Sequence, residues 1–329
     1  MDTKQRTLKY FDMFSGIGGF RAGFDTTSSA LCVGHCEIDK FANKSYETIH
    51  DVKKGEYYSN DARNIDTNTM PDFDLLCAGF PCQPFSQAGE RKGFDDTRGT
   101  LFFEIARVVR AKRPKYLLLE NVPGLLTHDK GRTFCTILST LNELGYHVEW
   151  QVLDSKDFGV PQTRKRVYAF CYIDPRCAGK VLPIIGTNSS ILRQLVKGRQ
   201  GERVYAADGI ACTLTSNGGG FATKTGLYFI DLNLPTKLTE TARCIKSRYN
   251  AWISNRGGEN SGVAAFDTGR IRKLTPTECL RLQGFSEPHI EKLTALQSDA
   301  QLYKQAGNSV TVNVIKAIAE RIVNLHGRP

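Results

Sequence analysis

The sequence predicts an α/β fold in which a Rossmann-like sheet is followed by a smaller, irregular β-rich domain. The first 175 residues alternate apolar runs of strand length with segments of helical spacing, which is the pattern of a parallel sheet built from βαβ units. After Asp174 the sequence changes to short runs rich in glycine and threonine, which indicate irregular β structure. At 329 residues the chain is also longer than one typical domain.

The elements of the first domain follow in a regular order. The apolar runs that suit buried strands lie at residues 9–14, 31–36, 73–78, 116–120, 148–153 and 167–173. The segments of helical spacing between them lie at residues 19–26, 40–49, 101–111 and 132–144. Beyond the second domain, residues 275–284 (TPTECLRLQG) predict a helix that begins at the Thr-Pro pair, and residues 308–323 predict an apolar helix that packs back on the first domain.

Composition narrows the class of protein. Residues 1–10 lack the apolar core of a signal peptide, and no apolar run approaches the ~18 residues of a membrane span, so we expect a soluble intracellular protein. The ten cysteines are scattered without a CxxC pair, which predicts reduced thiols and no metal site. The net charge of +10 favours a polyanionic partner. Residues 191–248, with nine Lys/Arg against four Asp/Glu, are either a DNA-contact surface or a solvated basic face.

A glycine-rich turn, FDMFSGIGGF at residues 11–20, follows the first strand and opens a helix. Gly16, Gly18 and Gly19 would let a ligand approach the backbone at a helix N-terminus. Glu37, at the end of the second strand, is suited to accept hydrogen bonds from ribose hydroxyls, and Asp61, after a third strand, is suited to meet an adenine. The pattern predicts a nucleotide site, although it is not GxGxxG and an ordinary turn is the alternative.

A Pro-Cys-Gln triplet follows the strand in DLLCAGFPCQPFSQAG and places Cys82 at the carboxyl edge of the predicted sheet, where ligands bind in open α/β folds. A thiolate there is a strong nucleophile, and nearby cations such as Arg98, Arg164 or Arg166 would favour it. Simple packing is the alternative for any lone cysteine, as we expect for Cys77 within the strand.

Two further segments bring polar groups to the same edge. LLLENVPGLL ends a strand with Glu120 and Asn121, and QTRKRVYAF begins another with Arg164 and Arg166, whose alternation predicts that they point to one face. A loop cap and a solvated strand entry are the alternatives. The convergence of a thiol, a carboxylic acid and two guanidiniums favours a catalytic site.

These motifs are similar to those of the bacterial DNA cytosine-C5 methyltransferases, a family that the chain resembles over nearly its whole length. Within the family it resembles the HhaI type of restriction-modification system, including the segments GERVYAADGI and TLTSNGGG. The resemblance implies an S-adenosylmethionine-dependent methyltransferase sheet with a target-recognition domain. The motifs appear in the family's order: FDMFSGIGGF, Glu37, DLLCAGFPCQPFS, ENV from Glu120, QTRKRVY, RKLTPTECLRLQGF and QAGNSV.

The resemblance implies four parts of the chain. Residues 1–178 would be the catalytic and cofactor-binding domain, 179–271 the target-recognition domain, 272–300 a hinge with a connecting helix, and 301–329 a C-terminal helix that returns to the catalytic domain.

The chemistry implied by the resemblance starts from the poor nucleophilicity of cytosine C5. Cys82 would add to C6, Glu120 would protonate or hydrogen-bond N3, and Arg166, supported by Arg164, would stabilise O2. C5 then takes the methyl group, and a water is a candidate base for the last proton.

The cofactor implied is S-adenosylmethionine, which leaves as S-adenosylhomocysteine. Because two of its predicted contacts lie about 290 residues beyond the glycine turn, the C-terminal helix must close the pocket. The resemblance assigns these contacts to Phe14, Gly16, Ile17, Gly18, Gly19, Glu37, Ile38, Asp61, Ala62, Pro81, Leu101, Asn308 and Ser309.

The predicted partner is double-stranded DNA, from which the target cytosine must flip out. We expect Gln200 to fill the gap and Arg203 to read a guanine in the major groove. Residues 229–262 replace a short connection of the HhaI type, so the resemblance does not carry over a target sequence. The further DNA contacts expected are Ser86, Arg98, Gly219 and Gly220.

Three alternatives stay open from the sequence: a tRNA cytosine-C5 methyltransferase, a nicotinamide-dependent dehydrogenase and a catalytically inert DNA-binding module. The preferred prediction is a monomeric bacterial or phage enzyme of the cytoplasm, associated with the nucleoid and paired with a cognate restriction endonuclease that acts separately.

Overall fold

The computed structural model describes residues 6–81, 101–186, 194–196, 204–205, 211–212, 262–265 and 270–327. Its strands in chain order are β1 (Leu8–Met13), β2 (Ala30–Cys36), β3 (Tyr57–Ser59), β4 (Leu75–Gly79), β5 (Tyr116–Asn121), β6 (His147–Asp154), β7 (Gln162–Thr163), β8 (Lys165–Tyr172), β9 (Gln194–Val196), β10 (Val204–Tyr205), β11 (Ala211–Cys212), β12 (Gly262–Ala265) and β13 (Arg270–Lys273). Seven of them form one sheet in the order β3-β2-β1-β4-β5-β8-β6. The predicted α/β class is confirmed.

The direction of β8 differs from the parallel sheet that the sequence predicted. β1 to β5 are mutually parallel, whereas β8 runs antiparallel to both β5 and β6. The connection between β6 and β8 covers only residues 155–164, which is too short for the crossover that a parallel pair requires. As a consequence, the start of β8 lies beside the carboxyl end of β5.

Helices cover both faces of the sheet. α5 begins at a capping box of Thr275 and Glu278, as its Thr-Pro start predicted. Two helices had no counterpart in the predicted elements: α6 (Glu287–Leu296), in the segment predicted as a hinge with a connecting helix, and α7 (Asp299–Asn308), most of which lies in the segment predicted as the C-terminal helix. The helices are α1 (Gly19–Phe24), α2 (Lys40–Ile49), α3 (Leu101–Lys112), α4 (Arg132–Glu143), α5 (Pro276–Leu282), α6 (Glu287–Leu296), α7 (Asp299–Asn308) and α8 (Val312–His326).

The prediction of one helix over residues 308–323 is wrong at its start. α7 ends at Asn308 and α8 begins at Val312, with Ser309 and Thr311 in extended conformations between them. The break is possible because side chains and distant backbone groups replace helical hydrogen bonds: Arg164 donates to the Ser309 carbonyl oxygen, and the Val312 amide donates to the carbonyl oxygen of Gln283. We refer to residues 307–311 as the α7–α8 turn.

The packing of α8 on the first domain confirms the rest of that prediction. Ile315, Ile318 and Ile322 are fully buried in a cluster that includes Phe20 and Phe24 of α1. A separate cluster fills the opposite face of the sheet beneath α3 and α4. Burial of these apolar side chains holds α1 and α8 together on the same face of the sheet.

Much of the predicted recognition domain lies outside the described residues. Among the strands that are described there, β9 pairs with β10 and β12 with β13, both antiparallel, while β11 pairs in parallel with β7. In the part of the chain that the structure describes, no helix is long and apolar enough to cross a membrane. The predicted site residues outside this part are Cys82, Ser86, Arg98, Gln200, Arg203, Gly219 and Gly220.

Candidate active site

The turn between β1 and α1 depends on two glycines for different reasons. Gly18 has a φ of +81°, and a Cβ there would overlap the ring of His50. Gly19 lies against the α7–α8 turn, because a Cβ at Gly19 would be 2.7 Å from both Ser309 Oγ and Val310 Cγ2. The glycine turn is therefore enclosed between α2 on one side and the C-terminal segment on the other.

The carboxylate of Glu37 is fastened to this turn by backbone donors. The Gly16 amide donates to Oε2 at 2.7 Å, and the Asp39 amide donates to Oε1 at 2.7 Å. The pKa of Glu37 is raised above its usual value, because the effect of burial is larger than that of these two backbone hydrogen bonds, which lower the pKa. The end of β2 thus presents an oriented acidic group beside the glycine backbone.

The neighbouring strand ends add an apolar and a second acidic group. Ile38 follows Glu37 and is 69% exposed, so an apolar side chain is accessible beside the end of β2. After β3, the Asp61 side chain accepts a hydrogen bond from the Arg63 amide at 2.9 Å and pairs with its guanidinium at 2.6 Å. Those hydrogen bonds from Arg63 lower the pKa of Asp61. The edge formed by β1, β2 and β3 therefore combines acidic, backbone and apolar groups, a mixture that is typical of small-molecule sites.

Glu120 and Arg166 form an ion pair at the carboxyl end of β5. Arg166 Nε lies 3.0 Å from Glu120 Oε1, and their side chains are only 12% and 11% exposed. The antiparallel direction of β8 brings them together, since Arg166 is near the start of its strand and Glu120 near the end of the adjacent one. Gly79, the last residue of β4, faces Glu120 in the sheet register. Electrostatic interactions are strong in so buried a site.

Arg164 has different partners from Arg166. Its guanidinium, which is almost fully buried, donates to the carbonyl oxygens of Gly307 at 3.1 Å and Ser309 at 2.8 Å. Its own amide donates to Asp154 at 2.9 Å. Arg164 therefore connects the strand entry to the α7–α8 turn, whereas Arg166 contacts the acid at the sheet edge.

Comparison with known proteins agrees with this arrangement. The sequence model of the C-5 cytosine-specific DNA methylases matches residues 8–324. The chain belongs to this family. The prediction of a DNA cytosine-C5 methyltransferase is confirmed, and the alternatives of a dehydrogenase and an inert DNA-binding module are set aside.

Individual relatives of the methylase cover nearly the whole chain. The Type II methyltransferase M.HhaI of Haemophilus parahaemolyticus is 35% identical over 358 residues, with 97% of this chain and 95% of that protein covered. The Type II methyltransferase M.NlaX of Neisseria lactamica is 40% identical over 324 residues, with 96% of each covered. The solved structure of the S. pombe Dnmt2 methyltransferase has a TM-score of 0.64 at 21% identity, covering 97% of this chain and 98% of that one, and supports the fold.

The predicted cofactor residues of the methylase that are described lie along one edge. Phe14 and the glycines are in the turn after β1, Pro81 follows β4, and Leu101 begins α3. Asn308 is exposed and Ser309 is buried in the α7–α8 turn. Ile17 and Ala62 are almost fully buried as whole residues, so little of either is accessible to a ligand in this structure.

One residue of the methylase site had no predicted role. Asn121 is buried, its Nδ2 donates to the Phe80 carbonyl oxygen at 2.9 Å, and its Oδ1 accepts from the Val122 amide at 2.8 Å. These bonds fasten the end of β5 to the backbone two residues before Cys82. The signal available in the sequence was a buried-strand pattern that runs directly into an amide side chain.

Proposed function

We propose that this methylase transfers a methyl group from S-adenosylmethionine to C5 of a flipped-out cytosine in a specific short double-stranded DNA sequence, through a covalent bond between Cys82 and C6. The observation that carries the proposal is the buried ion pair of Glu120 and Arg166, whose Oε1 and Nε atoms are 3.0 Å apart. On the same edge of the sheet, Asn121 donates a hydrogen bond to the carbonyl oxygen of Phe80, two residues before Cys82. The Type II relatives support a role as the modification half of a restriction-modification system.

The residues of the glycine turn fit the proposed cofactor. A Cβ added to Gly16 would meet nothing within 4 Å, so open space lies against this part of the backbone. Each oxygen of Glu37 accepts one backbone hydrogen bond and retains a lone pair for a ribose hydroxyl. Ile38 offers apolar contact and Asp61 an acceptor for the adenine. When bound, S-adenosylmethionine supplies a methyl group on a positively charged sulfur.

The protein's own task is to make C5 of cytosine nucleophilic. We propose that the Cys82 thiolate forms a bond to C6 and that the displaced electron pair moves toward N3 and O2. Glu120 donates a proton or a hydrogen bond at N3, and Arg166 stabilises negative charge at O2. After C5 has accepted the methyl group, a base removes the C5 proton and the bond between sulfur and C6 breaks. A proton donated to N3 returns to the Glu120 carboxylate, which restores the neutral ring, and the sulfur leaves as the thiolate.

Arg164 serves this chemistry through the backbone rather than by touching the base. Its contacts with Gly307 and Ser309 support the segment that faces the glycine turn. We propose that Gln200 fills the space of the flipped-out cytosine in DNA and that Arg203 reads a guanine. Further DNA contacts are proposed at Ser86, Arg98, Gly219 and Gly220.

Trapping on 5-fluorocytosine tests the covalent step. A duplex prepared with 5-fluorocytosine in place of cytosine offers every sequence context, and fluorine at C5 cannot leave as a proton, so the adduct persists. Wild type with S-adenosylmethionine should give a denaturation-resistant protein–DNA complex, and Cys82→Ser should give none. Methylation of ordinary cytosine without an adduct on the substituted duplex would contradict the mechanism.

A tritiated-methyl assay that offers DNA and tRNA side by side tests the substrate class. Label in DNA alone supports the proposal, whereas label in tRNA alone would support the tRNA alternative. Bisulfite sequencing of a host that expresses the chain identifies the target sequence.

The biological setting follows as a proposal. We propose that the enzyme acts as a monomer on nucleoid DNA in the cytoplasm, with a cognate endonuclease acting separately. The domain limits proposed are 1–178, 179–271, 272–300 and 301–329, and the packing of α8 against α1 supports the return of the last part to the first.

A further inference from the structure

Gln283, which ends α5, joins both sides of the α7–α8 turn. Its side-chain amide donates to the Ala306 carbonyl oxygen at 2.6 Å, and its Oε1 accepts from the Thr311 hydroxyl at 3.0 Å. Its backbone carbonyl oxygen accepts from the Val312 amide at 2.8 Å. Gln283 and Thr311 are both fully buried. One glutamine thus contacts the end of α7, the turn itself and the start of α8.

The hydrogen bonds continue from Gln283 to the strand entry of β8. The Gln162 amide donates to the Leu282 carbonyl oxygen at 2.7 Å, and the Ser155 hydroxyl lies 2.7 Å from that of Thr311. Gln162 is also the residue of β7 that pairs with Ala211 of β11. The network therefore runs from a strand of the predicted recognition domain to the segment that faces the glycine turn.

The turn needs such external support because it is not helical. Ser309 and Thr311 are extended, so the Ser309 carbonyl oxygen and the Val312 amide have no helical partner and bond instead to Arg164 and Gln283. Contact with the glycine turn is also tight, since even a Cβ at Gly19 would be 2.7 Å from Ser309 Oγ. Buried polar networks of this kind specify one geometry, because a displaced partner leaves other buried groups unsatisfied.

We propose that Gln283 is a positioning residue for the cofactor pocket: by holding the α7–α8 turn against the glycine turn, it determines the affinity for S-adenosylmethionine without touching the reacting atoms. The identity of the ligand rests on the proposed function. The geometric part, that Gln283 orders the turn, stands on the contacts of the described residues.

The test compares Gln283→Met with Gln151→Met. Methionine preserves side-chain length and removes the amide. Gln151 of the edge strand β6 is the control, because its partly buried side chain also makes two hydrogen bonds, both to the backbone of Ile184. We expect Gln283→Met to raise both the Kd and the KM for S-adenosylmethionine about tenfold, with kcat changed less than about threefold. Gln151→Met should lower the urea midpoint and leave the Kd unchanged.

Hydrogen exchange of the ligand-free proteins separates the two levels of the proposal. Gln283→Met should accelerate exchange in peptides spanning residues 305–312, and Gln151→Met should not. If Gln283→Met fails to fold, Thr311→Val keeps the shape of the side chain and removes the hydroxyl that contacts Gln283 and Ser155, and it should change exchange and Kd in the same direction. An unchanged Kd, or unchanged exchange in the turn, would overturn the positioning role. Faster exchange in the turn combined with a wild type that does not bind S-adenosylmethionine would instead refute the proposed cofactor.

Discussion

Substitution of Gly19 by alanine tests how closely the two ends of the chain must fit. The new Cβ would lie 2.7 Å from Ser309 Oγ and Val310 Cγ2, and 3.0 Å from the Val310 carbonyl oxygen. The serine hydroxyl can rotate away, but the backbone carbonyl cannot, so the α7–α8 turn has to move by several tenths of an ångström.

The magnitude combines two opposing effects. Overpacking of a well-filled contact costs about 1–3 kcal/mol. Replacing glycine by alanine in a helix returns roughly 0.5–1 kcal/mol. The two ranges together give a net loss of about 0–2.5 kcal/mol in the free energy of unfolding, centred on about 1 kcal/mol. Displacement of the turn should also weaken S-adenosylmethionine binding about tenfold, which is about 1.4 kcal/mol.

Urea unfolding and isothermal titration calorimetry measure these two effects. Gly23→Ala is the control, because its Cβ would lie 2.5 Å from Ile315 Cγ2 in the same pair of helices, away from the α7–α8 turn. It should lose comparable stability and bind the cofactor like wild type. The reasoning is refuted if Gly19→Ala unfolds and binds like wild type, or if both variants lose affinity equally.

Three further outcomes follow from individual contacts. Asn121→Ala leaves the Phe80 carbonyl oxygen without its buried donor, so the free energy of unfolding should fall by about 1–3 kcal/mol in urea titrations, and 5-fluorocytosine trapping should slow. Arg166→Gln removes the charge beside Glu120 and should reduce kcat by about 10²–10³-fold in a methylation assay, with the KM for S-adenosylmethionine unchanged. Burial lowers the pKa of His50 in the folded protein below its usual 6.5, so below pH 6.5 the unfolded chain binds a proton at His50 more readily than the folded protein does. The free energy of unfolding, measured in urea titrations, should therefore fall as the pH drops below 6.5, and His50→Gln should make that fall smaller.

The sequence predicted the strands of the sheet well because buried strands have a strong apolar signal. The direction of β8 carries no such signal, since alternation of side chains is the same for either direction. The sequence nevertheless predicted that Glu120 and Arg166 share one edge, although in a parallel sheet a strand start and a strand end lie at opposite edges. The short connection after β6 was the available clue to the antiparallel direction.

The break between α7 and α8 was not predictable from local pattern. Residues 308–323 have apolar spacing that suits a continuous helix, and the partners that replace its hydrogen bonds, Arg164 and Gln283, lie far away in sequence. Tertiary contacts override local propensity at this point. Asn121 illustrates the same limit: its position at a strand end was visible, but its acceptor on Phe80 is 41 residues distant.

The contact of Gly19 with Ser309 has a consequence for synthesis in the cell. The two residues are separated by 290 positions, and at about 5–20 residues per second the ribosome needs roughly 15–60 s to make the chain between them. During that interval the face of α1 that α8 later covers has no contact with α8, and the glycine turn lacks its contact with Ser309 and Val310. The nascent chain should therefore be a client for chaperones that bind apolar surface, and we expect the proposed cofactor pocket to form only after α8 has docked.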